Sequence, residues 1–316
     1  MGMFKRDLED FLLYCELTKQ YSENTIRNYR NTLERFAGFL DEMNIEQSNQ
    51  IDLQTVNAYR LFLNKKQTTR KDKLSLKAQA YQIVVLRSFL KFMIKNGQLV
   101  LNPDSLELPK TRMRRIEYLT EAEIERLIKS ILNDSSKTLL VAKKRNQALI
   151  WCMFGSGLRL SEVLNLKKNE INSPDGQLLI QGKGGKIRTT FLASEAQKAI
   201  QDYLELRGDD SNPFLFISFS KNSPRNTDNP KPMTPRAVQM ILKNYAQSIG
   251  IYKHITPHTL RHSYATKILF EGGDLRSVQT LLGHSNISTT QIYTHITDWQ
   301  IKDLHQRVFN KKDKDR

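Results

Sequence analysis

The amino-acid sequence predicts a mainly α-helical protein of two lobes, with a small β-hairpin in the second lobe. Three observations support this fold class. A length of 316 residues suits about two domains. Apolar residues recur every three or four positions through most of the chain, which is helical spacing. Two short strand-like runs, Leu178–Gln181 and Ile187–Leu192, flank the Gly184-Gly185 turn of a predicted hairpin.

The composition narrows the class of protein. Hydrophobic residues make up 39% of the chain, which is enough for two cores and too much for a disordered protein. The longest unbroken apolar stretch, Leu149–Phe154, is far shorter than the ~18 residues of a membrane span. Asp7, Glu9 and Asp10 lie where a signal peptide would need apolar residues. We therefore expect a soluble protein of the cytoplasm with no membrane partner.

The charge predicts a polyanionic partner. Lysine and arginine number 49 against 33 aspartates and glutamates, which gives a net charge of +16. Nucleic acid is the leading candidate, because binding releases its condensed counterions; a merely solubilising basic surface is the alternative. The two cysteines, Cys15 and Cys152, are too few for a disulfide framework or a thiolate metal site.

Residues 1–108 predict a bundle of four helices. Ser22 is the predicted N-cap of the second helix, and Gly97 ends the fourth. The apolar stripes that define the helices run from Phe4 to Cys15, Ile26 to Leu40, Leu53 to Leu63 and Ile83 to Met93. The opposite faces are basic and indicate either a solvated surface or nucleic-acid contacts. The contacts we expect are Arg27, Arg30, Lys77 and Arg87.

Residues 109–117 form a predicted basic linker. Pro109 cannot continue a helix, and the basic residues that follow it are Lys110, Arg112, Arg114 and Arg115. The second lobe, residues 118–316, begins with a helix after Thr120, where Glu123 completes a capping box. Two lobes joined by a short positive strap suit a clamp around a nucleic-acid duplex.

The second lobe is predicted to mix helices with the hairpin. Helices are expected over Arg145–Phe154, Leu158–Leu166 and Leu275–Leu282, and after Ser194, Thr234, Thr256 and Ser288. Threonine followed by proline supplies an N-cap and a preset first residue at two of these starts. The stretch 221–232 is polar and rich in proline and asparagine, which predicts a surface loop.

Four short segments of this lobe carry the candidate functional residues. In GSGLRLSE, Arg159 lies three residues before Glu162, so the carboxylate can hold the guanidinium; an ordinary helical ion pair is the alternative. In GKGGKIR, Lys183 can be delivered into a cleft by the hairpin turn, although a basic turn facing water has the same sequence. Lys186 and Arg188 are expected to contact nucleic-acid phosphates.

The other two segments add histidines and a tyrosine. His258 and Arg261 share a helical face in the segment HTLRH. A zinc helix of the H-E-x-x-H type needs glutamate where Thr259 stands, which argues against a metal site. His284 lies in LLGHS, and Tyr293 follows nine residues later beside an apolar stripe. Core packing is the alternative role for this tyrosine.

Together these residues suit phosphoryl transfer without a metal ion. The guanidinium groups of Arg159 and Arg261 match the non-bridging oxygens of a phosphate. The Tyr293 phenol can attack phosphorus once it loses its proton. A lysine on a hairpin can protonate the departing ribose oxygen.

The chain resembles the tyrosine recombinases, also called the phage integrase family, and within it the Xer-type recombinases. The family order R…K…H-x-x-R…H…Y is met by Arg159, Lys183, His258, Arg261, His284 and Tyr293. The words GSGLRLSE, GKGGK, HTLRHSYAT, LLGHS and STTQIYTH resemble family motifs, and SENTIRNYRNTLERF resembles its N-terminal core-binding domain. Two stretches between motifs, 133–141 and 221–232, depart from the family pattern.

The resemblance implies a site-specific DNA recombinase with no metal or nucleotide cofactor. Tyr293 would attack a scissile phosphate and form a 3′-phosphotyrosyl intermediate. Arg159, Arg261 and His284 would stabilise the phosphate, and Lys183 would protonate the leaving oxygen. His258 would serve as an acid, a base or a phosphate contact.

The resemblance also implies partners. An apolar stripe at Trp299, Ile301, Leu304 and Val308 predicts a C-terminal helix, about 299–310, through which a tetramer assembles on paired DNA half-sites. Whether a second recombinase or an accessory protein is also required is left open. The alternatives are a type IB topoisomerase, which would not need such a helix, an inactive DNA-binding regulator and, more distantly, a ribonuclease using His258 and His284.

Overall fold

The computed structural model describes residues 3–65, 73–108, 117–134, 138–171, 173–182, 185, 187–219 and 229–283. The chain divides into two compact units, residues 1–114 and 115–316, so the division falls within the predicted linker. Each unit has a hydrophobic core of its own. In the described ranges no helix is both long enough and apolar enough to cross a membrane.

The first unit is the predicted bundle of four helices. They are α1 (Met3–Leu17), α2 (Glu23–Glu42), α3 (Leu53–Lys65) and α4 (Leu76–Lys95). Aromatic rings fill the core, and the Phe36 and Tyr59 rings meet edge to face with centroids 4.7 Å apart. Ser22 stands at the N-cap of α2 as predicted, but its hydroxyl shares a hydrogen bond with the Thr25 hydroxyl instead of capping a backbone N–H.

The second unit mixes seven described helices with one hairpin. The helices are α5 (Glu121–Leu132), α6 (Leu140–Ser156), α7 (Leu160–Asn165), α8 (Ser194–Arg207), α9 (Pro235–Ser248), α10 (Pro257–Phe270) and α11 (Leu275–Leu282). The strands β1 (Gln177–Gln181) and β2 (Ile187–Phe191) pair antiparallel, with Ile180 opposite Arg188. The capping box of Thr120 and Glu123 is present at the start of α5, as predicted.

Two helices of this unit lie in its interior. The buried residues of α6 and α10 surround each helix axis instead of forming one stripe, which is the pattern of a helix covered on all sides. Because α6 packs against α5, α8 and α10, the residues at its C-terminal end are held on a rigid scaffold.

The bounds of two helices differ from their predictions. The α6 helix begins five residues before the predicted Arg145, because Leu140 is exposed and Lys143 and Lys144 interrupt the apolar pattern. The α7 helix begins at Leu160 and not at Leu158, because Gly157 adopts a left-handed conformation and Arg159 is the extended N-cap.

Candidate active site

Three arginines from different elements meet at the C-terminal end of α11. The Arg188 Nε donates to the Leu281 carbonyl at 3.3 Å, an Arg261 Nη donates to the Leu282 carbonyl at 2.6 Å, and an Arg159 Nη donates to the Gly283 carbonyl at 3.0 Å. The last carbonyls of a helix have no partner within it and carry its negative dipole end. Cations are therefore stabilised at this end, and the three guanidinium groups share it.

Arg261 is the buried member of this cluster. It lies on α10, whose first turn is fixed by Thr256 as N-cap and Pro257 as the first helical residue. Its side chain is almost fully buried, at 4% exposure, and its other terminal nitrogen donates to the Gly157 carbonyl at 2.7 Å. Arg261 thus ties the end of α6 to the end of α11.

Arg159 is the partly exposed member of the cluster, with 37% of its side chain exposed. Glu162 accepts two hydrogen bonds from it, one from the Arg159 backbone N–H at 2.7 Å and one from a guanidinium nitrogen at 2.9 Å. The spacing of three residues predicted this ion pair, and the structure shows it. The pair also closes a capping box at the start of α7.

Arg188 was predicted to contact DNA, but the structure places its guanidinium on Glu162. The two terminal nitrogens of Arg188 donate to the two Glu162 oxygens at 2.9 and 2.7 Å, and the side chains are only 11% and 8% exposed. One signal was available in the sequence. In an antiparallel hairpin Arg188 faces Ile180, and Ile180 belongs to the apolar, inward-facing set of β1.

The electrostatics of the cluster favour an anion. Burial acts to raise the pKa of Glu162, but hydrogen bonds from Arg188 and from the Arg159 backbone outweigh it and lower the pKa. The carboxylate is therefore ionised. Three guanidinium groups and one carboxylate leave a net charge of +2, and guanidinium forks bind phosphate well.

Two glycines allow the close packing of this cluster. Gly157 and Gly283 both have a φ of +62°, a left-handed conformation that favours glycine. A Cβ on Gly157 would lie 2.5 Å from the Tyr264 Cε1, and closer still to its Cδ1. A Cβ on Gly283 would lie 2.6 Å from the Arg188 Cδ. Both glycines are required by close approach as well as by backbone conformation.

His258 lies beside the arginines and is the exposed residue in the otherwise buried first turn of α10. Desolvation of its ring and the positive charges of Arg261 and Arg159 lower the pKa of His258 below its ordinary value. One turn further along, burial together with His258 and Arg261 lowers the pKa of His262 to about 4. Both imidazoles are therefore neutral near pH 7, and His258 is able to accept a proton.

Several predicted site residues fall outside the described part of the chain. They are Arg112, Arg114, Arg115, Lys183, Lys186, His284, Tyr293 and the predicted helix at 299–310. In sequence, Lys183 follows two residues after the end of β1, and His284 follows directly after Gly283. In sequence, Lys183 is thus close to the strand that pairs with the strand of Arg188, and His284 is next to the helix end to which the arginines donate.

The four basic residues singled out in the first unit differ in their surroundings. Arg27 and Lys77 are exposed. Arg30 forms an ion pair with Glu9, with one of its hydrogen bonds at 2.8 Å. A nitrogen of Arg87 lies 3.1 Å from an Asp104 oxygen. That these four residues contact DNA remains a prediction.

Comparison with known protein families gives two matches along the chain. The model of the phage integrase family matches residues 117–299, and the model of the phage integrase N-terminal SAM-like domain matches residues 8–97.

Among the described residues, no three side chains of His, Cys, Asp or Glu come together in a possible metal site.

Characterised relatives match over nearly the full chain. The tyrosine recombinase XerC of Bacillus licheniformis is 34% identical over 317 residues, which covers 98% of this chain and 96% of that protein. The tyrosine recombinase XerD of Listeria innocua is 33% identical over 308 residues, covering 95% of this chain and 97% of that protein.

Solved structures share the fold. The XerH site-specific recombinase bound to its palindromic difH substrate aligns with a TM-score of 0.70 at 20% identity, over 95% of this chain and 84% of that chain. A lambda integrase dimer bound to a COC′ core site aligns with a TM-score of 0.66 at 14% identity, over 90% of this chain and 96% of that chain. These matches support the mainly helical, two-unit fold class predicted from the sequence.

Proposed function

The chain belongs to the phage integrase family and is a tyrosine site-specific recombinase of Xer type, and we propose that it cleaves and rejoins DNA strands through a covalent bond to Tyr293. One observation carries this proposal. The cluster of Arg159, Arg188, Arg261 and Glu162 holds a net charge of +2 at the end of α11. A phosphate is the anion that such guanidinium groups suit best.

Strand cleavage breaks one bond and forms another. The Tyr293 phenol oxygen attacks the scissile phosphorus, the bond from phosphorus to the 5′ oxygen breaks, and a 3′-phosphotyrosine and a free 5′-hydroxyl result. Lys183 supplies the proton of that hydroxyl. His258 accepts the phenol proton, because its lowered pKa keeps the imidazole neutral near pH 7.

The arginines stabilise charge that develops on the non-bridging oxygens. A guanidinium has five N–H groups, and Arg159 uses two of them in hydrogen bonds to other described residues. Since its side chain is also partly exposed, it has donors left for phosphate. Arg261 donates to the same helix end from a buried position, and the proposed contacts to the phosphate are Arg159, Arg261 and His284, the residue that follows Gly283 in the sequence.

The phosphotyrosine conserves the energy of the phosphodiester bond, so the proposed reaction needs no nucleotide. We expect cleavage to proceed in EDTA. The assay uses a DNA duplex with a nick next to the scissile phosphate. After cleavage the short strand that carries the free 5′-hydroxyl diffuses away, so the strands cannot rejoin and the protein–DNA adduct survives SDS. Arg159→Ala is expected to slow adduct formation by roughly 100-fold or more. Strict dependence on added metal, or a wild-type rate in this variant, would contradict the proposal.

A second experiment tests which lysine is the general acid. A DNA whose scissile 5′-bridging oxygen is replaced by sulfur has a leaving group that does not need the proton. We expect this substrate to restore cleavage to Lys183→Ala, with Lys186→Ala as the matched control that stays near the wild-type rate. If Lys186→Ala is the slow variant that sulfur restores, the roles of the two lysines are reversed.

Recombination also requires assembly on DNA. We propose that both units and the strap at Arg112–Arg115 grip one duplex, and that a tetramer forms through the segment 299–310, acting on chromosomal DNA. The DNA complexes of XerH and lambda integrase support the duplex as the ligand. A chain ending at residue 298 should still form the covalent adduct and should fail to exchange strands between two sites. Unchanged strand exchange by that chain would contradict the proposed role of the segment.

A further inference from the structure

We propose that Arg188 is a positioning residue for Arg159 and acts through the Glu162 carboxylate; this inference rests on the proposed role of Arg159 at the scissile phosphate. Arg188 lies on β2, opposite Ile180, and its side chain points into the unit. It touches neither the substrate nor the reacting atoms in this assignment. Through Glu162 it sets the charge and the geometry around Arg159, the residue that contacts the phosphate.

The first support is the geometry of the Arg188–Glu162 pair. Two parallel hydrogen bonds of 2.9 and 2.7 Å join the guanidinium to both carboxylate oxygens. Such a fork is stronger and more directional than a single contact. The Arg188 Nε donates in addition to the Leu281 carbonyl. Arg188 therefore joins the hairpin to α7 and to the end of α11.

The second support is the environment of Glu162. Its carboxylate accepts four hydrogen bonds, two from Arg188 and two from Arg159, and only 8% of its side chain is exposed. A buried carboxylate is costly unless a cation compensates it. Arg188 provides that compensation from the interior. Arg159 then gives one guanidinium N–H to Glu162 and one to the Gly283 carbonyl, and can turn its remaining N–H groups toward an anion.

The third support is the packing against Gly283. A Cβ at this position would lie 2.6 Å from the Cδ, 2.9 Å from the Nε and 3.2 Å from the Cζ of Arg188. The arginine side chain thus lies flat against the backbone of the residue that precedes His284. Its position is fixed by packing as well as by hydrogen bonds, as a positioning role requires.

The competing role for Arg188 is a direct DNA contact. That role predicts weaker DNA binding and a shallower salt dependence when the charge is removed. The positioning role predicts unchanged binding and a slower chemical step. The two roles also differ in the rate constant expected of the Arg188 and Glu162 double variant. If Arg188 contacted DNA directly, removing the Glu162 carboxylate would not restore the rate lost with Arg188.

The experiment compares Arg188→Met, Glu162→Gln and the double variant with the wild type. The control is Lys144→Met, which removes a cation paired with Asp202 at 2.9 Å in the same unit, away from the cluster. Single-turnover adduct formation is measured at saturating DNA, so that the rate constant is separated from the fraction of folded protein. The dissociation constant and its salt dependence are measured on the same DNA.

We expect Arg188→Met to lower the rate constant about 10- to 100-fold, the range typical of losing a partner that orients a metal ligand, which is a comparable positioning role. Its DNA affinity should stay within about twofold of the wild type, and the slope of log K against log salt should change by much less than the value of about one that loss of a phosphate contact gives. Adding Glu162→Gln should raise the rate constant again, because it removes the uncompensated charge. Arg188→Lys, which keeps the charge without the fork, should fall between Arg188→Met and the wild type.

Three results would overturn this inference. One is a double variant no faster than Arg188→Met. Another is a loss confined to affinity or to the yield of active protein, with an unchanged rate constant. The third is a loss of the same size in Lys144→Met. A wild type that forms no adduct contradicts the proposed function itself and is thereby distinguished from a failure of the Arg188 assignment alone.

Discussion

Gly157→Ala tests whether close packing at the end of α6 holds the arginine cluster together. The alanine would keep a φ of +62°, which costs an L-residue about 1–2 kcal/mol. Its Cβ would also lie 2.5 Å from the Tyr264 Cε1. That ring cannot easily move away, because it is largely buried and its hydroxyl is hydrogen-bonded to Thr190. Overpacking of this kind costs about 1–3 kcal/mol, so the total is about 2–5 kcal/mol.

Gly250→Ala is the matched control, since it lies just beyond α9 with a φ of +71° and nothing within 4 Å of an added Cβ. It should cost only the conformational term, about 1–2 kcal/mol. The effect of alanine on the unfolded chain is the same in both variants and cancels between them. The difference of about 1–3 kcal/mol between the two variants therefore measures the contact with Tyr264.

Urea unfolding followed by tryptophan fluorescence measures this difference in the full chain. The sequence has two tryptophans, Trp151 and Trp299, and both belong to the second unit, so the first unit adds no signal. The Gly157 carbonyl accepts a hydrogen bond from Arg261, so Gly157→Ala should also slow adduct formation where Gly250→Ala does not. Equal loss of stability in the two variants would refute the packing argument.

Three further predictions concern charge. Arg261→Lys should slow adduct formation by roughly 100-fold or more, because an ammonium cannot reach two carbonyls and a phosphate together; a wild-type rate would contradict this. The folded pKa of His262 is about 4 against an ordinary 6.5, so the free energy of unfolding should fall as the pH falls from about 6.5 to about 4. His262→Gln should make this fall, followed by tryptophan fluorescence, less steep. An unchanged dependence of the unfolding free energy on pH would contradict this prediction. Replacing Arg112, Arg114 and Arg115 with glutamine should weaken binding to all DNA sequences and flatten the salt dependence, and an unchanged slope would place the strap away from phosphate.

The elements that sequence reasoning predicted well are those whose signal is local. The capping box of Thr120 and Glu123 spans three residues and starts α5 as expected. The ion pair of Arg159 and Glu162 also spans three residues, so spacing alone predicted it. The start of α6 was predicted five residues too late, because Leu140 is exposed and Lys143 and Lys144 interrupt the apolar periodicity near the start of the helix.

The contacts that sequence reasoning did not predict are distant along the chain. Arg188 and Glu162 are 26 residues apart, and Arg261 reaches the Gly157 carbonyl across 104 residues. A contact between a side chain and a backbone carbonyl depends on how helices pack, and residue spacing carries no such signal. The family pattern predicts that Arg261 contacts the phosphate, but only the structure shows that it also ties α6 to α11.

The site at which DNA becomes covalently attached shows whether Tyr293 is the nucleophile. The wild type is incubated with the nicked duplex in EDTA, the DNA is trimmed by nuclease, and the modified peptide is located by tandem mass spectrometry. We expect a phosphonucleotide on Tyr293, no adduct from Tyr293→Phe, and a dissociation constant for this variant within about twofold of the wild type, because only the nucleophilic oxygen is lost. An adduct on another residue, or one that still forms in Tyr293→Phe, would show that Tyr293 is not the nucleophile.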